Sequence, residues 1–361
     1  MSRLAARGHT VYYFACVGHK RHKSNPHSGP VKDTPGVHVY TIPYAPGVTK
    51  LAAIRKWAAA TKIARILRTQ KVRRPILWFY HPSLFSLGYS HDDSAIVYDV
   101  MDHFPSFEAT VDDVYFEELM MLAEADVIFT GGHSLHGHTL QMIEALCAES
   151  SSSADTSTVR TSALATPHCY PSGIDLDHFA QARQISPAGS TSPDPRRPIF
   201  GYFGAIDERI DWDLIRHLAN ATAGQVVLAG PVIRPAPPDL PGNVQLPGPI
   251  PYPELPQLLS TFDVALIPFR DSALVRYVSP TKTPEYLAGG KPVVSTPVPD
   301  VVSDYGDIVS IADSPAAFTE ACLKQTESPA APDKLAAEVR RRARTWDAIA
   351  AEMDNVIMAA A

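Results

Sequence analysis

Short apolar runs alternate with longer amphipathic stretches along most of this chain, and that alternation restricts its fold more than any other feature. In the first half the apolar runs lie at 10–17, 37–42, 75–80, 94–99 and 126–130, with helical patterns at 50–69 and 106–125. In the second half apolar runs lie at 198–203, 225–229, 244–246, 263–268, 292–295 and 308–311. Helical patterns there cover 212–221, 253–261, 281–288 and a long final stretch at 333–360. Strands buried on both faces read as continuous apolar runs, and helices between them imply parallel sheets. The expected class is therefore α/β, with two doubly wound, Rossmann-like halves facing a cleft. Such sheets bind ligands beyond the carboxyl ends of their strands.

At 361 residues the chain exceeds one ordinary core and suits two domains. The expected organisation is a first domain at 1–180 with a Ser/Thr/Ala-rich insertion at 149–166, a Pro/Ser/Gly-rich linker at 181–197, a second domain at 198–335 and a helix at 336–361 crossing back to the first. The start is unusual. Residues 1–7 read as the last turns of a helix closed by Gly8, and the strand that normally precedes that helix in a βαβ domain is missing.

The net charge of −6 argues against a nucleic-acid partner. The four cysteines, Cys16, Cys147, Cys169 and Cys322, are far apart and suit reduced thiols in a cytoplasmic protein. No run approaches the roughly 18 apolar residues of a membrane span, and residues 1–8 lack the apolar core of a signal peptide. The stretch at 54–73 mixes Arg55, Lys56, Lys62, Arg65, Arg68 and Lys71 with apolar residues. It reads as a surface helix in preference to one touching an anionic membrane.

The strongest chemical signal is the segment at 279–296. Ser279, Pro280, Thr281 and Lys282 lead into a helix whose backbone N–H groups and positive dipole end suit a diphosphate. Lys282 adds a mobile cation one turn in. Glu285, three residues on, shares its face and could accept hydrogen bonds from paired sugar hydroxyls. The same spacing also describes an ordinary Lys–Glu surface pair. There is no GxGxxG after a strand and no P-loop, so dinucleotide and ATP sites of those kinds are not expected.

The segment resembles the donor-site signature of GT-B glycosyltransferases, in particular the retaining family 4, through Ser279, Pro280, Lys282, Glu285, Tyr286, Ala288, Gly290, Pro292, Val293, Val294 and Thr296. Three further stretches agree in order: Pro171-Ser-Gly-Ile-Asp-Leu-Asp-His-Phe179, Gly201-Tyr-Phe-Gly204 with Asp207-Glu-Arg209, and Gly248-Pro-Ile250-Pro-Tyr252. The resemblance implies transfer of a sugar from a nucleoside diphosphate sugar to an acceptor hydroxyl, in cell-envelope or exopolysaccharide synthesis. It implies that Glu285 holds the ribose, that the helix start and Lys282 meet the diphosphate, and that Gly204, Ile250 and Tyr252 line the donor site. The donor is a substrate, so no cofactor is expected, and neither is a metal. The acceptor would be a glycan or a lipid-linked sugar; peripheral contact at the inner face of a membrane is compatible with this reading but not implied by it.

Two positions depart from the pattern. Tyr277 stands where a second acid often precedes Glu285 by eight residues, and Ala205 stands where an arginine usually follows the first donor-domain strand. Arg209 lies nearby and could replace that cation. In the first half, His81, Asp102, His103 and His133 follow strands and are candidates for acceptor contact or proton handling. The triplets Asp175-Leu-Asp177 and Asp211-Trp-Asp213 are discounted as metal sites, as is the group His133, His136 and His138. A nucleotide-sugar epimerase and an inert partner subunit of the same fold are the alternative functions.

Overall fold

A computed structural model describes residues 1–17, 28–43, 50–88, 95–106, 113–152, 164–185 and 197–361. Residues 153–163 of the expected insertion, 186–196 of the expected linker and 107–112 of the expected helix at 106–125 lie outside them. The chain divides into two compact units. One comprises 1–131, 135–170 and 347–361, the other 132–134 and 171–346.

In the first unit, helix α1 (Ser2–Ala6) closes at Gly8, whose φ of +101° is the left-handed conformation expected at that position. Strand β1 (Val11–Val17) pairs in parallel with β3 (Val37–Pro43), and β2 (Ser28–Pro30) adds to β3 in the antiparallel sense. Helix α2 (Lys50–Thr69), β4 (Leu77–Phe79), α3 (Phe85–Gly88), β5 (Ile96–Val100), α4 (Asp113–Glu124), β6 (Val127–Thr130), α5 (His133–Ser152) and β7 (His168–Cys169) follow. Strands β4 to β7 form a parallel sheet in chain order. All five residues of β5 and all four of β6 are buried, as their unbroken apolar runs require. The first unit thus holds two sheets where one is expected: among the described residues no strand joins β1 to β4.

The second unit holds a single six-stranded sheet. Its strands are β8 (Ile199–Phe203), β9 (Gln225–Ala229), β10 (Val244–Gly248), β11 (Val264–Ile267), β12 (Val293–Ser295) and β13 (Ser310–Ile311). They pair in parallel in the order β10-β9-β8-β11-β12-β13. Around the sheet lie α6 (Leu176–Ala180), α7 (Trp212–Ala221), α8 (Leu255–Ser260), α9 (Lys282–Ala288), α10 (Pro299–Tyr305), α11 (Pro315–Glu327) and α12 (Pro332–Arg342). Helix α7 shows why the sequence folds as it does. The Asp211 carboxylate accepts from the Asp213 and Leu214 N–H groups at 3.0 and 3.2 Å, which caps the helix. Leu214, Ile215, Leu218 and Ala219 then recur at helical spacing and are all buried.

The expected single helix at 333–360 is two helices, α12 and α13 (Trp346–Ala360). Ala343 turns extended, the Ile174 N–H donates to the Arg344 carbonyl at 3.0 Å, and Thr345 bridges Ile174. That strand-like pairing takes the backbone bonds the helix would have used. Beyond it, 347–361 packs with the first unit, where Ile357 joins Val97, Val127 and Phe129 in one apolar cluster.

Candidate functional site

The sheet of the second unit reverses its strand order between β8 and β11. Crevices at such switch points, beyond the carboxyl ends of the strands, are where open α/β sheets bind ligands. Gly204 directly follows β8 with φ +148°, and its N–H donates to the Ala229 carbonyl at 2.8 Å. Gly230 directly follows β9 with φ +149°, and a Cβ there would lie 1.8 Å from the Gly204 carbonyl oxygen. The two strand ends therefore meet backbone to backbone, an approach that only glycine allows.

Lys282 lies across this pair of glycines. A Cβ on Gly204 would stand 2.1 Å from the Lys282 Cε and 2.9 Å from its Nζ. The ammonium is also 5.7 Å from the centre of the Tyr202 ring. Helix α9 is held in place by Tyr286, which is fully buried. Its hydroxyl accepts from the Phe203 N–H at 3.0 Å, and its ring meets that of Phe203 edge-on at 4.7 Å. The last residue of β8 and the second turn of α9 are thereby fixed to each other.

Lys282 is the first residue of this seven-residue helix, not a mobile cation one turn in. Lys282 and Glu285 keep a solvent-facing edge, but protein surrounds most of each, so they are not a surface pair. Burial pushes the Lys282 amine below its ordinary pKa; Glu285 and Asp207 oppose that shift and Arg209 adds to it. Burial pushes the Glu285 carboxyl up to about 8, with Lys282 pulling it back and the Asp175 charge pushing it further. No hydrogen bond or ion pair joins Lys282 to Glu285 among the described residues. The neighbouring Thr283 hydroxyl is buried without a hydrogen-bond partner. Poorly solvated charges that the fold leaves without direct partners cost stability, and they concentrate where a ligand supplies the partners.

Arg209 lies in the loop between β8 and α7. It grips Asp207 through Nε at 2.9 Å and Nη2 at 2.6 Å, and its guanidinium lies 5.7 Å from the centre of the Phe269 ring. Burial alone would raise the Asp207 pKa, but the Arg209 hydrogen bonds outweigh it and hold the carboxyl below its usual range. Tyr252 donates its hydroxyl to Asp175 at 2.7 Å and stacks on His178 at 4.5 Å. Ile250 packs on the core of the unit, Pro280 is buried, and the Ser279 carbonyl accepts from the Ser172 hydroxyl at 2.8 Å ahead of Thr281.

Gly204, Arg209, Lys282 and Glu285 thus form one cluster, and Tyr252 reaches its edge through Asp175. His81 and Asp102 belong to the first unit. The His81 Nδ1 accepts from the Ser83 N–H at 3.2 Å and so caps a short turn, its ring lies 4.3 Å from that of Phe104, and burial lowers its pKa. Asp102 is exposed. Burial first, then the neighbouring His138, lowers His103 to about 4. His133 groups with the second unit, its Nε2 3.4 Å from Asp304. Gly230, Tyr202 and the Asp175 carboxylate also belong to this cluster, and no motif in the sequence marks them as site residues. A glycine immediately after an apolar run, at both 204 and 230, was the available signal.

Residues 197–327 match the family model described as glycosyl transferases group 1. A Bacillus subtilis (strain 168) protein, provisionally named as the teichuronic acid biosynthesis glycosyltransferase TuaH, is 26% identical over 201 residues, covering 50% of this chain and 47% of that one. The chain therefore spans about half the length of the curated relative it matches. Sucrose-phosphate synthase from Thermosynechococcus elongatus superposes with a TM-score of 0.71 at 16% identity, over 100% of this chain and 92% of that one. The α,α-trehalose 6-phosphate synthase from Burkholderia multivorans gives 0.65 at 13%, over 96% and 91%. The chain has the GT-B fold, and its residues 197–327 are similar to the group 1 glycosyl transferases.

Proposed function

We propose that this protein is a glycosyltransferase that moves a sugar from a nucleoside diphosphate sugar to an acceptor hydroxyl. The observation that carries this is the Lys282 amine laid over Gly204 at the switch point, with Glu285 one turn on and no direct partner between the two charges. A diphosphate would give Lys282 its counter-charge, and a ribose would give Glu285 two hydroxyl donors. As the sugar–phosphate bond breaks, negative charge grows on the departing phosphate. The proposal gives the stabilisation of that charge to Lys282 and Arg209, since preorganised cations are most effective where charge develops. Leaving-group neutralisation is assigned to these cations and not to a metal. A solved trehalose-6-phosphate enzyme from E. coli, described as bound with UDP-2-fluoro glucose, shares the fold with a TM-score of 0.60. Retention of anomeric configuration and a cell-envelope acceptor, glycan or lipid-linked, complete the proposal by analogy with the group 1 enzymes and TuaH.

The proposal extends to peripheral contact with the inner face of a membrane through α2. That helix exposes Ile54 and Trp57 among Arg55, Lys62, Arg65 and Arg68, and it contains no acidic residue. Among the described residues no helix is long and apolar enough to cross a membrane. Sedimentation with anionic against neutral vesicles tests the contact.

Calorimetry with UDP, GDP and ADP, followed by a nucleotide-sugar panel with and without acceptor, tests the reaction. Binding of one nucleotide, lost in Lys282→Ala, is expected. If none binds, the transferase proposal falls. The inert-subunit alternative, which Tyr277 in place of an acid favours, then takes its place.

A further inference from the structure

The loop between β8 and α7 is held by its backbone, without help from the ion pair it carries. The Ile206 N–H donates to the Pro231 carbonyl and the Ile206 carbonyl accepts from the Ile233 N–H, both at 2.9 Å. On the other side the Asp211 N–H donates to the Pro268 carbonyl and the Arg270 N–H to the Arg209 carbonyl, both at 2.8 Å, and Ile210 bridges Phe269. The Asp207–Arg209 pair inside this loop is largely buried, with 14% of the aspartate side chain and 23% of the arginine side chain exposed. Taking two charges out of water to that extent offsets much of their attraction. The pair therefore adds little to a loop already fastened on both sides.

Its geometry suits another use. Arg209 turns Nε and Nη2 to the two Asp207 oxygens, at 2.9 and 2.6 Å. Paired N–H groups of this kind are how arginine grips a phosphate as well as a carboxylate. Asp207 therefore fills a place on the guanidinium that a phosphate would take. Burial raises the Asp207 pKa, but the Arg209 hydrogen bonds and then the charges of Arg209 and Lys282 keep the carboxyl ionised. One carboxylate thus faces both cations of the site. Phe269 is buried beneath the guanidinium, its ring centre 5.7 Å from Cζ. A ring face attracts a cation without dictating which edge the cation presents. Arg209 can exchange Asp207 for another anion and stay over the ring.

We propose that Asp207 is an internal competitor for the donor diphosphate: it holds Arg209 between turnovers, yields it when a diphosphate enters and takes it back as the nucleoside diphosphate leaves. The inference rests on the glycosyltransferase reading above. Two cations alone would grip the product hardest, because the phosphate carries most charge once the sugar has left it. A resident carboxylate weakens every anion at the site in proportion to its charge, so the product is weakened more than the donor. Release of product is the slow step in many enzymes, and the device acts on that step.

Calorimetry with inorganic pyrophosphate, UDP, GDP and ADP on Asp207→Asn tests this. The asparagine keeps an oxygen for the Arg209 N–H, which Asp207 accepts at 3.0 Å, so the turn is retained while the charge is removed. Pyrophosphate and the nucleotide that the parent binds are expected to bind about tenfold tighter, and that nucleotide to dissociate more slowly in stopped flow. In an Arg209→Met background the same change should gain less than about threefold, because nothing is left to compete for. A purely structural pair predicts the opposite sign, weaker binding with a lower Tm. Unchanged or weaker binding, or an equal gain with and without Arg209, overturns the inference and leaves the transferase reading standing. A parent that binds none of the four ligands overturns both. Asp207→Ser, whose hydroxyl also accepts from the Arg209 N–H, gives the same measurement if the asparagine variant fails to fold.

Discussion

Gly204 and Lys282 occupy one space: a single methyl group on residue 204 would stand 2.1 Å from the lysine Cε. Gly204→Ala is therefore expected to act twice. It strains a backbone held at φ +148°, a conformation L-residues avoid at a cost of about 1–3 kcal/mol. It also drives the ammonium out of the crevice between β8 and β11. Thermal unfolding should show a Tm lower by several degrees, and titration should show nucleotide affinity reduced at least tenfold. An alanine variant that binds as tightly as the parent would separate Lys282 from the site.

Replacing the lysine itself should separate binding from folding. Lys282 is a largely buried cation that burial pushes toward its neutral form. Lys282→Met keeps the length and apolar stem and removes the charge. Its stability is expected to equal or exceed that of the parent, because an unpaired buried charge is removed. Nucleotide affinity should fall at least tenfold, and turnover further, since the lost charge would act most strongly on the departing phosphate. A Met variant that unfolds easily would mean that the ammonium holds the fold together.

Glu285 gives a pH signature. Its folded pKa is raised to about 8 from the ordinary 4.5, chiefly by burial. A raised carboxyl pKa means that the folded state favours the protonated form. The contribution to stability is full below about 4.5 and is lost as pH rises through about 8. Glu285→Gln does not ionise, so its Tm advantage over the parent should be small at pH 5 and grow by a few degrees by pH 8.5. Each kcal/mol is about 2–4 °C for a domain of this size. The same variant should bind nucleotide more weakly. A Tm difference that does not change with pH would sink this account.

These three residues also show what could be read from the sequence and what could not. The strands at 199–203 and 264–267 and the capped helix α7 were legible because burial imposes local periodicity and Asp211 is a local cap. Lys282 and Glu285 were legible as a pair, but their burial was not, since the same i,i+3 spacing serves a surface pair equally well. It is Tyr286, reaching back to Phe203 across 83 positions, that sinks α9 against β8. The break between α12 and α13 was hidden for the same reason. Residues 343–345 are compatible with helix, and a distant partner, Ile174, pulls them out of it.

Tyr286 accordingly allows a sharp test of how the site is held. Its hydroxyl accepts from the Phe203 N–H at 3.0 Å inside the core. Tyr286→Phe keeps the ring and its edge-on contact with Phe203 but leaves that N–H buried without a partner, a loss of about 1–3 kcal/mol. Because the bond ties α9, one turn beyond Lys282, to the end of β8 just before Gly204, the loss should also loosen Lys282 over the glycine. Nucleotide affinity is expected to fall by a few-fold, less than in Lys282→Met, and stability by more. Chemical denaturation and calorimetry on the two variants together check that ordering. The reverse ordering would show that α9 is positioned by its apolar packing alone.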